Sequence, residues 1–310
     1  MEYRLLGKTG LNVSALGFGA SPLGGGVFGP VEESEAIRSV HVALDLGINI
    51  IDVSPFYGYT RAEAVLGKAL KGISRDRFYL ATKVGRYGDD EFDFSEKRVF
   101  SSLQESLSRL GIEYVDILQS HDNEYGNLDQ VINETIPALY KLQAKGVARF
   151  VGITGYPLKM FRYILDRVNV DTVLSYNHFT LNDNTLTTIL PFLTGKNLGV
   201  INAAPVSQGL LTNQGPASWH PAPAKVKDIC ARAAAFCRQQ GSDIAKLAVQ
   251  FALTEKRIAT TLVGTSSAAI ITKNARWIEE PLDEQLLAQV RTILRPIQDK
   301  TWIVGKPENN

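Results

Sequence analysis

The sequence predicts a (β/α)8 barrel, the TIM barrel fold, preceded by an N-terminal β-hairpin. Eight short apolar runs alternate with longer segments of 3.6-residue periodicity along the 310 residues, about one unit per 39 residues. The apolar runs are nearly continuous, which is typical of parallel strands buried on both faces. We therefore expect one domain over residues 1–310, with the hairpin at 1–14 and a loose C-terminal tail at 303–310.

The N-terminal hairpin is predicted from Tyr3–Leu6 and Leu11–Ser14, which flank the turn sequence Gly7-Lys8-Thr9-Gly10. We expect it to cover the bottom of the barrel. The barrel strands follow it along the chain. They are predicted at Ala15–Gly19, Asn49–Ser54, Phe78–Val84, Val115–Ser120, Phe150–Thr154, Thr172–Asn177, Val200–Ala204 and Thr260–Gly264.

Amphipathic helices are predicted between the strands. The segment Glu32–Leu46 places its apolar residues on one face and ends at Gly47, a residue suited to a helix C-cap. The segment Ser95–Leu110 begins with a capping serine and ends at a glycine. A later helix contains Pro137, so it either kinks there or begins its regular part there.

An open doubly wound sheet is the alternative arrangement of the same elements. That fold usually carries G-x-G-x-x-G after its first strand. Here Gly17-Phe18-Gly19-Ala20-Ser21 is followed by Pro22 in place of the third glycine, and the later run Gly24-Gly25-Gly26 is typical of an ordinary loop. The sequence therefore favours the barrel.

The composition narrows the classes of function. The chain has 45% hydrophobic residues, which is typical of folded proteins. It has 33 Lys and Arg against 32 Asp and Glu, and these cations form no cluster in the sequence that would bind nucleic acid. Cys230 and Cys237 lie about 10 Å apart along one predicted helix, which is too far for a disulfide. No apolar run could span a membrane, and the N-terminal residues lack a signal pattern, so we expect a cytoplasmic protein with no membrane partner.

The chemistry is predicted at the carboxyl ends of the strands, where barrel enzymes place their active sites. Asp52 and Lys83 are charges inside otherwise apolar strands, and we expect them to pair because unpaired buried charges are costly. Tyr57 follows the second strand and His121 follows the fourth. A purely structural ion pair is the alternative for Asp52 and Lys83, but it does not account for a tyrosine and a histidine at neighbouring strand ends.

These four residues are typical of a proton-transfer site. The ammonium of Lys83 is expected to lower the pKa of Tyr57 from about 10, which would suit the phenol to general acid/base work. His121 is expected to orient a substrate oxygen. The histidines of the chain are scattered without metal-ligand spacing, so no metal is expected, and no G-x-S-x-G motif marks a serine nucleophile. These points favour hydride transfer with a bound nicotinamide.

With these four residues and its opening Leu5-Leu6-Gly7-Lys8-Thr9-Gly10-Leu11, the chain resembles the aldo-keto reductases over essentially its full length. The resemblance implies that Asp52, Tyr57, Lys83 and His121 are the catalytic tetrad of that family. Within the family the chain is most similar to the NAD-dependent aldose dehydrogenases. This implies oxidation of an aldose at C1 to a lactone, with L-galactose as the expected sugar, a step of ascorbate synthesis.

The resemblance also implies where the cofactor binds. The loop 205–211 is similar to the pyrophosphate loop of the family, and 264–267 with Asn274 is similar to its adenosine-phosphate site, although a Gly-Thr-Ser-Ser turn alone is often only a helix cap. The usual nicotinamide contacts are replaced here by Thr154-Gly155, Ser175 and Ala203, and Asn177 or His178 are candidates to compensate. The expected cofactor-binding residues are Gly19, Ala20, Ser175, Pro205, Val206, Ser207, Gln208, Gly209, Leu211, Gly264, Thr265, Ser266, Ile270 and Asn274.

The expected cofactor is NAD in preference to NADP. NADPH-preferring relatives bind the 2′-phosphate with a Lys and an Arg, and the matching positions here are Gly264 and Ile270. A phosphate without these partners loses charge-assisted hydrogen bonds worth about 1.5–3 kcal/mol each. Lys273 is close enough in sequence to offset part of this loss if it turns inward.

Substrate selection is expected from loops over the mouth of the barrel, where aromatic rings stack on sugar faces and polar groups bind hydroxyls. Ordinary loop packing is the alternative for each candidate. The candidates are Phe56, Tyr59, Tyr87, Asp122, Asn123, His178 and Trp219. The alternative functions are an NADPH-dependent aldehyde reductase, a dehydrogenase for L-fucose or a similar aldose, and a non-enzymatic nicotinamide-sensing subunit, which the intact tetrad disfavours.

Overall fold

Eight parallel strands form a closed barrel in the computed structural model of the chain, which describes residues 1–26 and 29–310. Each strand pairs with the next along the chain and the last pairs with the first, so the predicted fold is confirmed. An antiparallel pair, β1 (Tyr3–Leu5) and β2 (Asn12–Ser14), precedes the barrel. The barrel strands are β3 (Leu16–Gly19), β4 (Ile50–Asp52), β5 (Tyr79–Val84), β6 (Val115–Ser120), β7 (Ala148–Gly155), β8 (Thr172–Tyr176), β9 (Gly199–Ala203) and β10 (Thr260–Gly264).

Side chains of the barrel strands alternate between the interior and the outer face. Ile50, Ile117 and Leu174 pack together inside the barrel. Val173, the neighbour of Leu174, packs outward with residues of the surrounding helices. The residue two positions after each of these three also faces the interior. It lies at the open end of the barrel formed by the carboxyl ends of the strands, which we call the mouth.

The N-terminal hairpin covers the opposite end of the barrel, as predicted. Leu6, Leu11 and Val13 belong to the same apolar cluster as the interior residues of the strands. The Lys8 N–H donates to the carbonyl of Asn197, 2.9 Å away, just before β9. The hairpin thereby excludes water from the barrel interior below the mouth.

Substitution of Gly7 is expected to weaken this closure. Gly7 has φ +51°, and a Cβ built there would lie 2.3 Å from the backbone nitrogen of Gly199. Gly10, at φ +71°, has nothing within 4 Å of the same position. We expect Gly10→Ala to cost about 1–2 kcal/mol from its backbone alone, and Gly7→Ala to cost about 1–3 kcal/mol more from overpacking. Thermal and denaturant midpoints of the two variants check this, and equal losses would contradict it.

The helices surround the barrel and bury their apolar faces against the outer sides of the strands. The predicted helices Glu32–Leu46 and Ser95–Leu110 are confirmed to within one residue at each end, and Ser95 caps the second by accepting a hydrogen bond from the Arg98 N–H at 3.3 Å. The helices are α1 (Glu33–Asp45), α2 (Arg61–Leu70), α3 (Glu96–Leu110), α4 (Leu128–Gln130), α5 (Ile136–Ala144), α6 (Leu158–Leu165), α7 (Leu190–Gly195), α8 (Ala224–Gln239), α9 (Ile244–Ala252), α10 (Ala268–Trp277) and α11 (Glu284–Leu294).

Pro137 lies at the start of a regular helix, the second of the two arrangements that the sequence allows. A π-helical turn over Val131–Thr135 leads into α5, whose second residue is Pro137. The missing N–H of proline is harmless there because the first N–H groups of a helix have no partner within it. Cys230 and Cys237 are buried free thiols in α8. No helix in the described part of the chain is long and apolar enough to cross a membrane.

The C-terminal segment differs from the loose tail that the sequence predicts. The Asn309 side chain is buried, and its amide donates to the carbonyls of Glu124 (2.9 Å) and Gly126 (3.1 Å). The Lys306 N–H also donates to the Glu124 carbonyl at 2.9 Å. These bonds attach the tail to the loop after β6, which the charged and polar composition of the tail did not indicate.

Candidate active site

The predicted ion pair lies at the mouth of the barrel, on the interior face. Asp52 ends β4 and Lys83 lies in the neighbouring strand β5, so alternation brings both side chains inward. The Lys83 Nζ lies 2.5 Å from Asp52 Oδ1 and also donates to the Val53 carbonyl at 2.9 Å. Lys83 is only 1% exposed. Burial alone would lower the pKa of Lys83, but the charges of Asp52 and Tyr57 outweigh burial and raise it, so the ammonium is retained.

Tyr57 completes the contact with Lys83, and its pKa differs from the expectation. The Tyr57 hydroxyl lies 3.1 Å from Lys83 Nζ, and the same ammonium is 4.7 Å from the centre of the Tyr57 ring. Burial nevertheless raises the pKa of Tyr57 to about 12, because the loss of water around the phenolate outweighs the opposing effect of Lys83. The predicted lowering of this pKa is therefore wrong, although Lys83 acts in the predicted direction.

Gln119 is a site residue that the sequence analysis missed. Its side-chain amide donates to Asp52 Oδ2 at 2.9 Å, so both oxygens of that buried carboxylate have a donor. Its Oε1 is buried without a hydrogen-bond partner in the described residues. Counting two residues from Ile117, which faces the interior, would have placed Gln119 at the mouth.

His121 lies beside Tyr57, as predicted. The two rings are perpendicular, with centroids 5.6 Å apart. Burial lowers the pKa of His121 to about 3, so the imidazole is neutral at physiological pH. Its Nδ1 lies 3.0 Å from Ser54 Oγ, and its Nε2 lies 3.6 Å from Asp122 Oδ2. A neutral imidazole suits the predicted role of orienting a substrate oxygen.

Asp122 is held beside His121 by an arginine that the sequence analysis also missed. The Arg86 Nη1 lies 2.7 Å from Asp122 Oδ2, and the guanidinium stacks on the ring of Phe56 at 3.9 Å from its centre. Asp122 has a left-handed backbone, φ +46°, supported by its N–H donating to Thr154 Oγ1 at 3.0 Å. This arrangement places a carboxylate that accepts hydrogen bonds next to the four predicted catalytic residues.

The other predicted substrate residues divide into two groups. The Phe56 ring lies 6.0 Å from that of His121, and Tyr59 is exposed on the rim with its hydroxyl 2.6 Å from Asp89 Oδ2. Tyr87 and Asn123 belong to the packing behind the mouth. The Tyr87 hydroxyl accepts from the Gly85 N–H at 3.0 Å, and the Asn123 amide donates to the carbonyls of Ser120 and Thr154. These bonds hold Tyr87 and Asn123 in the packing of the loops, and their contact with substrate stays a prediction.

His178 and Trp219 lie near an aromatic cluster over the loops after β8 and β9. His178 is buried against Tyr156, with ring centroids 4.4 Å apart, and its Nδ1 lies 2.8 Å from Thr185 Oγ1. Its Nε2 is buried without a hydrogen-bond partner in the described residues. Trp219 is partly exposed and stacks on His220, and Trp302 of the C-terminal segment contacts both His220 and Tyr156.

Ser175 does not face the mouth. It lies two residues after Val173, whose side chain packs outward, whereas Leu174 packs inside the barrel. The Ser175 hydroxyl is buried on that outer side without a hydrogen-bond partner in the described residues. Strand alternation turns the Ser175 side chain away from the interior, and its contact with a nicotinamide stays a prediction.

Asn177 is better placed to hold a carboxamide. It follows β8 with a left-handed backbone, φ +63°, and its amide nitrogen donates to Gln208 Oε1 at 3.0 Å. Its Oδ1 is buried without a hydrogen-bond partner within the described ranges. A buried unpaired acceptor is costly unless a ligand donor reaches it, so Asn177 fits the amide of a nicotinamide.

The predicted pyrophosphate loop after β9 is a strained turn. Ala204, Ser207 and Gln208 all have left-handed backbones, with φ of +57°, +47° and +50°, and Gly209 follows at φ +103°. Such conformations cost about 1 kcal/mol or more each and persist where the surroundings fix them. The Ser207 hydroxyl donates to Asn182 Oδ1 at 2.8 Å, which fixes the centre of the turn. Preorganised backbone turns of this kind are typical of ligand-binding loops.

The predicted adenosine-phosphate segment joins β10 to α10 beside the start of the barrel. Gly19 and Gly264 pair directly in β3 and β10, both on the interior parity, so no side chain fills the mouth there. Ser267 caps α10, and Asn274 is buried in its second turn. Ala20 is buried and donates its N–H to the Asp52 carbonyl at 2.8 Å. The open strip along these two strands fits an extended cofactor.

A carboxylate from α1 occupies the N-terminus of α10. The Ala268 N–H donates to Glu35 Oε1 at 2.9 Å, and Arg38 holds the other oxygen at 2.7 Å. These donors lower the pKa of Glu35, with the Ala268 bond the larger cause. Lys273 points elsewhere, because its Nζ lies 3.1 Å from Asp243 Oδ2. Among the described residues, no group of three His, Cys, Asp or Glu side chains could hold a metal ion.

Comparisons with known proteins agree with this geometry. The sequence profile of the Aldo/keto reductase family matches residues 15–295. L-galactose dehydrogenase of Arabidopsis thaliana is 49% identical over 318 aligned positions, which cover 100% of this chain and 99% of that protein. D-threo-aldose 1-dehydrogenase of a Pseudomonas species is 30% identical, covering 93% and 97%. A solved aldo-keto reductase of Bacillus halodurans, in its holo form, has a TM-score of 0.79 and 28% identity over the whole of both chains.

Proposed function

The chain belongs to the aldo/keto reductase family, and from that premise we propose that it is an NAD-dependent aldose 1-dehydrogenase that oxidises L-galactose at C1 to L-galactono-1,4-lactone. The observation that carries the proposal is the buried contact of Asp52, Lys83, Tyr57 and His121 at the mouth, in a chain 49% identical over its length to an L-galactose dehydrogenase. We place the reaction in ascorbate biosynthesis and in the cytoplasm.

The proposed reaction removes a hydride and a proton from the anomeric centre. The C1 hydroxyl lies between Tyr57 and His121. Its proton passes to the Tyr57 oxygen while the C1 hydrogen leaves with its electron pair, so that a C1–O double bond forms. His121 donates a hydrogen bond to the same oxygen as the carbonyl develops. Bound oxidised nicotinamide supplies the hydride acceptor and a positive charge that favours the Tyr57 phenolate. In the reverse direction Tyr57 is the acid.

The residues present fit a nicotinamide cofactor. Asn177 offers a buried free acceptor for the carboxamide, the strained turn at 204–209 offers backbone groups for a pyrophosphate, and Gly19 leaves the interior face of β3 without a side chain at the mouth. We propose that Pro205, Val206 and Leu211 belong to this binding site through the loop that they form. Thr265, Ser266, Ile270 and Asn274 would lie at the adenosine end.

Three observations support NAD over NADP. Gly264 and Ile270 offer no charge to a 2′-phosphate. Lys273 is paired with Asp243 and lies 4.5 Å from the centre of the Trp277 ring, so it is directed away from the start of α10. Glu35 already accepts from the Ala268 N–H, so this donor at the start of α10 is not free to bind a phosphate.

Installing the missing cations is expected to improve the use of NADP. Residue 264 tolerates a side chain, because a Cβ there would meet Pro22 at an ordinary 3.4 Å. We expect Gly264→Lys with Ile270→Arg to raise kcat/KM for NADP relative to NAD by about 10- to 100-fold, from one or two charge-assisted bonds. The control is Gly195→Lys with Ile303→Arg, which adds the same charges at open surface positions. An unchanged cofactor ratio in the first variant would place the 2′ end elsewhere.

The sugar is proposed to bind among neutral and acidic groups. The Asp122 carboxylate accepts hydrogen bonds from hydroxyl groups, the buried His178 Nε2 has no partner in the described residues, and Phe56, Tyr59 and Trp219 offer aromatic faces. Because Asp122 lies 3.6 Å from His121 Nε2, an uncharged polyol is favoured over an acidic sugar. We expect a small-molecule sugar as the binding partner, with no nucleic acid and no membrane.

The test is the formation of NADH by the purified protein with L-galactose. Parallel reactions replace NAD by NADP, and L-galactose by L-fucose or D-galactose. Turnover with NAD and L-galactose above all other pairs is the expected result. Reduction of simple aldehydes by NADPH without any sugar oxidation would instead make the protein an aldehyde reductase on the same site.

A further inference from the structure

Ser54 contacts His121 on the side away from the mouth. It lies two residues after Asp52, where the chain leaves β4, and its side chain is fully buried. Its Oγ is 3.0 Å from His121 Nδ1. The Phe56 N–H donates to the same oxygen at 3.1 Å. The hydroxyl is therefore held between a backbone donor and an imidazole nitrogen.

The protons in this contact can be assigned from the donors and acceptors present. The Phe56 N–H uses a lone pair of Ser54 Oγ, and the hydroxyl has one proton to give. His121 Nδ1 is the acceptor within reach of that proton in the described residues. Burial keeps the imidazole neutral, so a ring that accepts at Nδ1 carries its only proton at Nε2.

We propose that Ser54 is a positioning residue that fixes His121 as the Nε2–H tautomer, and this rests on the proposed function of the site. The Nε2 faces Asp122 and the mouth, whereas Nδ1 faces the interior of the protein. In this tautomer His121 donates to the C1 oxygen as it becomes a carbonyl. In the other tautomer a lone pair would face the carbonyl oxygen and repel it.

The surroundings of His121 hold the ring in this orientation. Tyr57 packs edge-on against it, with an interplanar angle of 89°, and the Phe56 ring contacts it at 63°. The charged groups that act on it are Asp122, Lys83 and Arg86, of which the two cations oppose a second proton on the ring. Ser54 and the Asp122 carboxylate act on opposite ring nitrogens and favour the same tautomer, but only Ser54 lies within hydrogen-bond distance of the ring, at 3.0 Å against 3.6 Å for Asp122.

The experiment is ¹⁵N NMR of the histidine side chains in the ligand-free protein, with the His121 signals assigned by their loss in His121→Asn. We expect an unprotonated Nδ1 and a protonated Nε2 in the wild type, and a proton on Nδ1 in part of the molecules in Ser54→Ala. Ser54→Thr keeps the hydroxyl and is expected to restore the wild-type signals. Ser39→Ala removes a hydroxyl equally buried in α1, bonded to Ala36, and is the control.

Kinetics give the second readout. We expect Ser54→Ala to lower kcat by about 10- to 100-fold, because His121 no longer donates to the C1 oxygen in part of the molecules. The Kd for NAD should be unchanged. A wild-type Nδ1–H signal, or a Ser54→Ala protein with unchanged tautomer and kcat, would overturn the proposal. The NMR result does not depend on the substrate, so absence of L-galactose oxidation would refute the proposed function while leaving the assignment of Ser54 to be decided by the spectra.

Discussion

The variant Tyr57→Phe is expected to lose nearly all turnover while its fold and its cofactor binding stay intact. The ring keeps its edge-on contact with His121, and Lys83 keeps Asp52 and the Val53 carbonyl as partners. Only the hydroxyl that receives the C1 proton is lost. General acid/base groups contribute about 10²–10⁴-fold to rate, so kcat should fall by that factor.

The pH profile tests the same role independently. Oxidation needs the deprotonated phenol, and because burial raises the pKa of Tyr57 to about 12, the phenolate fraction grows throughout the neutral and alkaline range. Wild-type oxidation should therefore accelerate as pH rises, and the residual activity of Tyr57→Phe should lose this dependence. Tyr163→Phe, which removes a hydroxyl bonded to Asp129 on the surface, is the control. Turnover of Tyr57→Phe within tenfold of wild type would exclude Tyr57 as the base.

The strand ends were predictable because few physical reasons place a charge in a buried parallel strand. Asp52 and Lys83 stand out from their apolar neighbours, and a barrel brings successive strand ends together. The caps of α3 and the position of Pro137 follow from local backbone chemistry. Each of these inferences depends on a residue and its near neighbours in sequence.

The failures depend on tertiary surroundings that a motif does not contain. Lys83 was expected to decide the pKa of Tyr57, but the extent of burial is larger and cannot be seen in sequence. Arg86 and Ser54 were missed because their importance comes from their contacts with Asp122 and His121, which lie far away in sequence. The docked tail likewise depends on the carbonyls that Asn309 meets.

The variant Lys83→Met is expected to have a lower free energy of unfolding and a lower rate of catalysis, for two separable reasons. Lys83 is buried, and its removal leaves the Asp52 carboxylate buried without its cation. Breaking a buried pair in this way costs about 3–5 kcal/mol in the free energy of unfolding. Catalysis falls because Lys83 lowers the pKa of Tyr57, so without it the pKa rises further and the alkaline limb of oxidation moves to higher pH.

The double variant Asp52→Asn with Lys83→Met separates these effects. It has no buried charge at the pair, and an asparagine oxygen can still accept from the Gln119 amide, so most of the lost stability should return. Turnover should stay low, because the ammonium beside Tyr57 is still absent. Lys68→Met, which breaks an exposed pair with Glu33, is the control and should change stability by no more than about 1 kcal/mol. The measurements are the free energy of unfolding in denaturant and the rate of NADH formation. If both returned towards wild type in the double variant, Lys83 would act through stability alone and Tyr57 would need another source of activation.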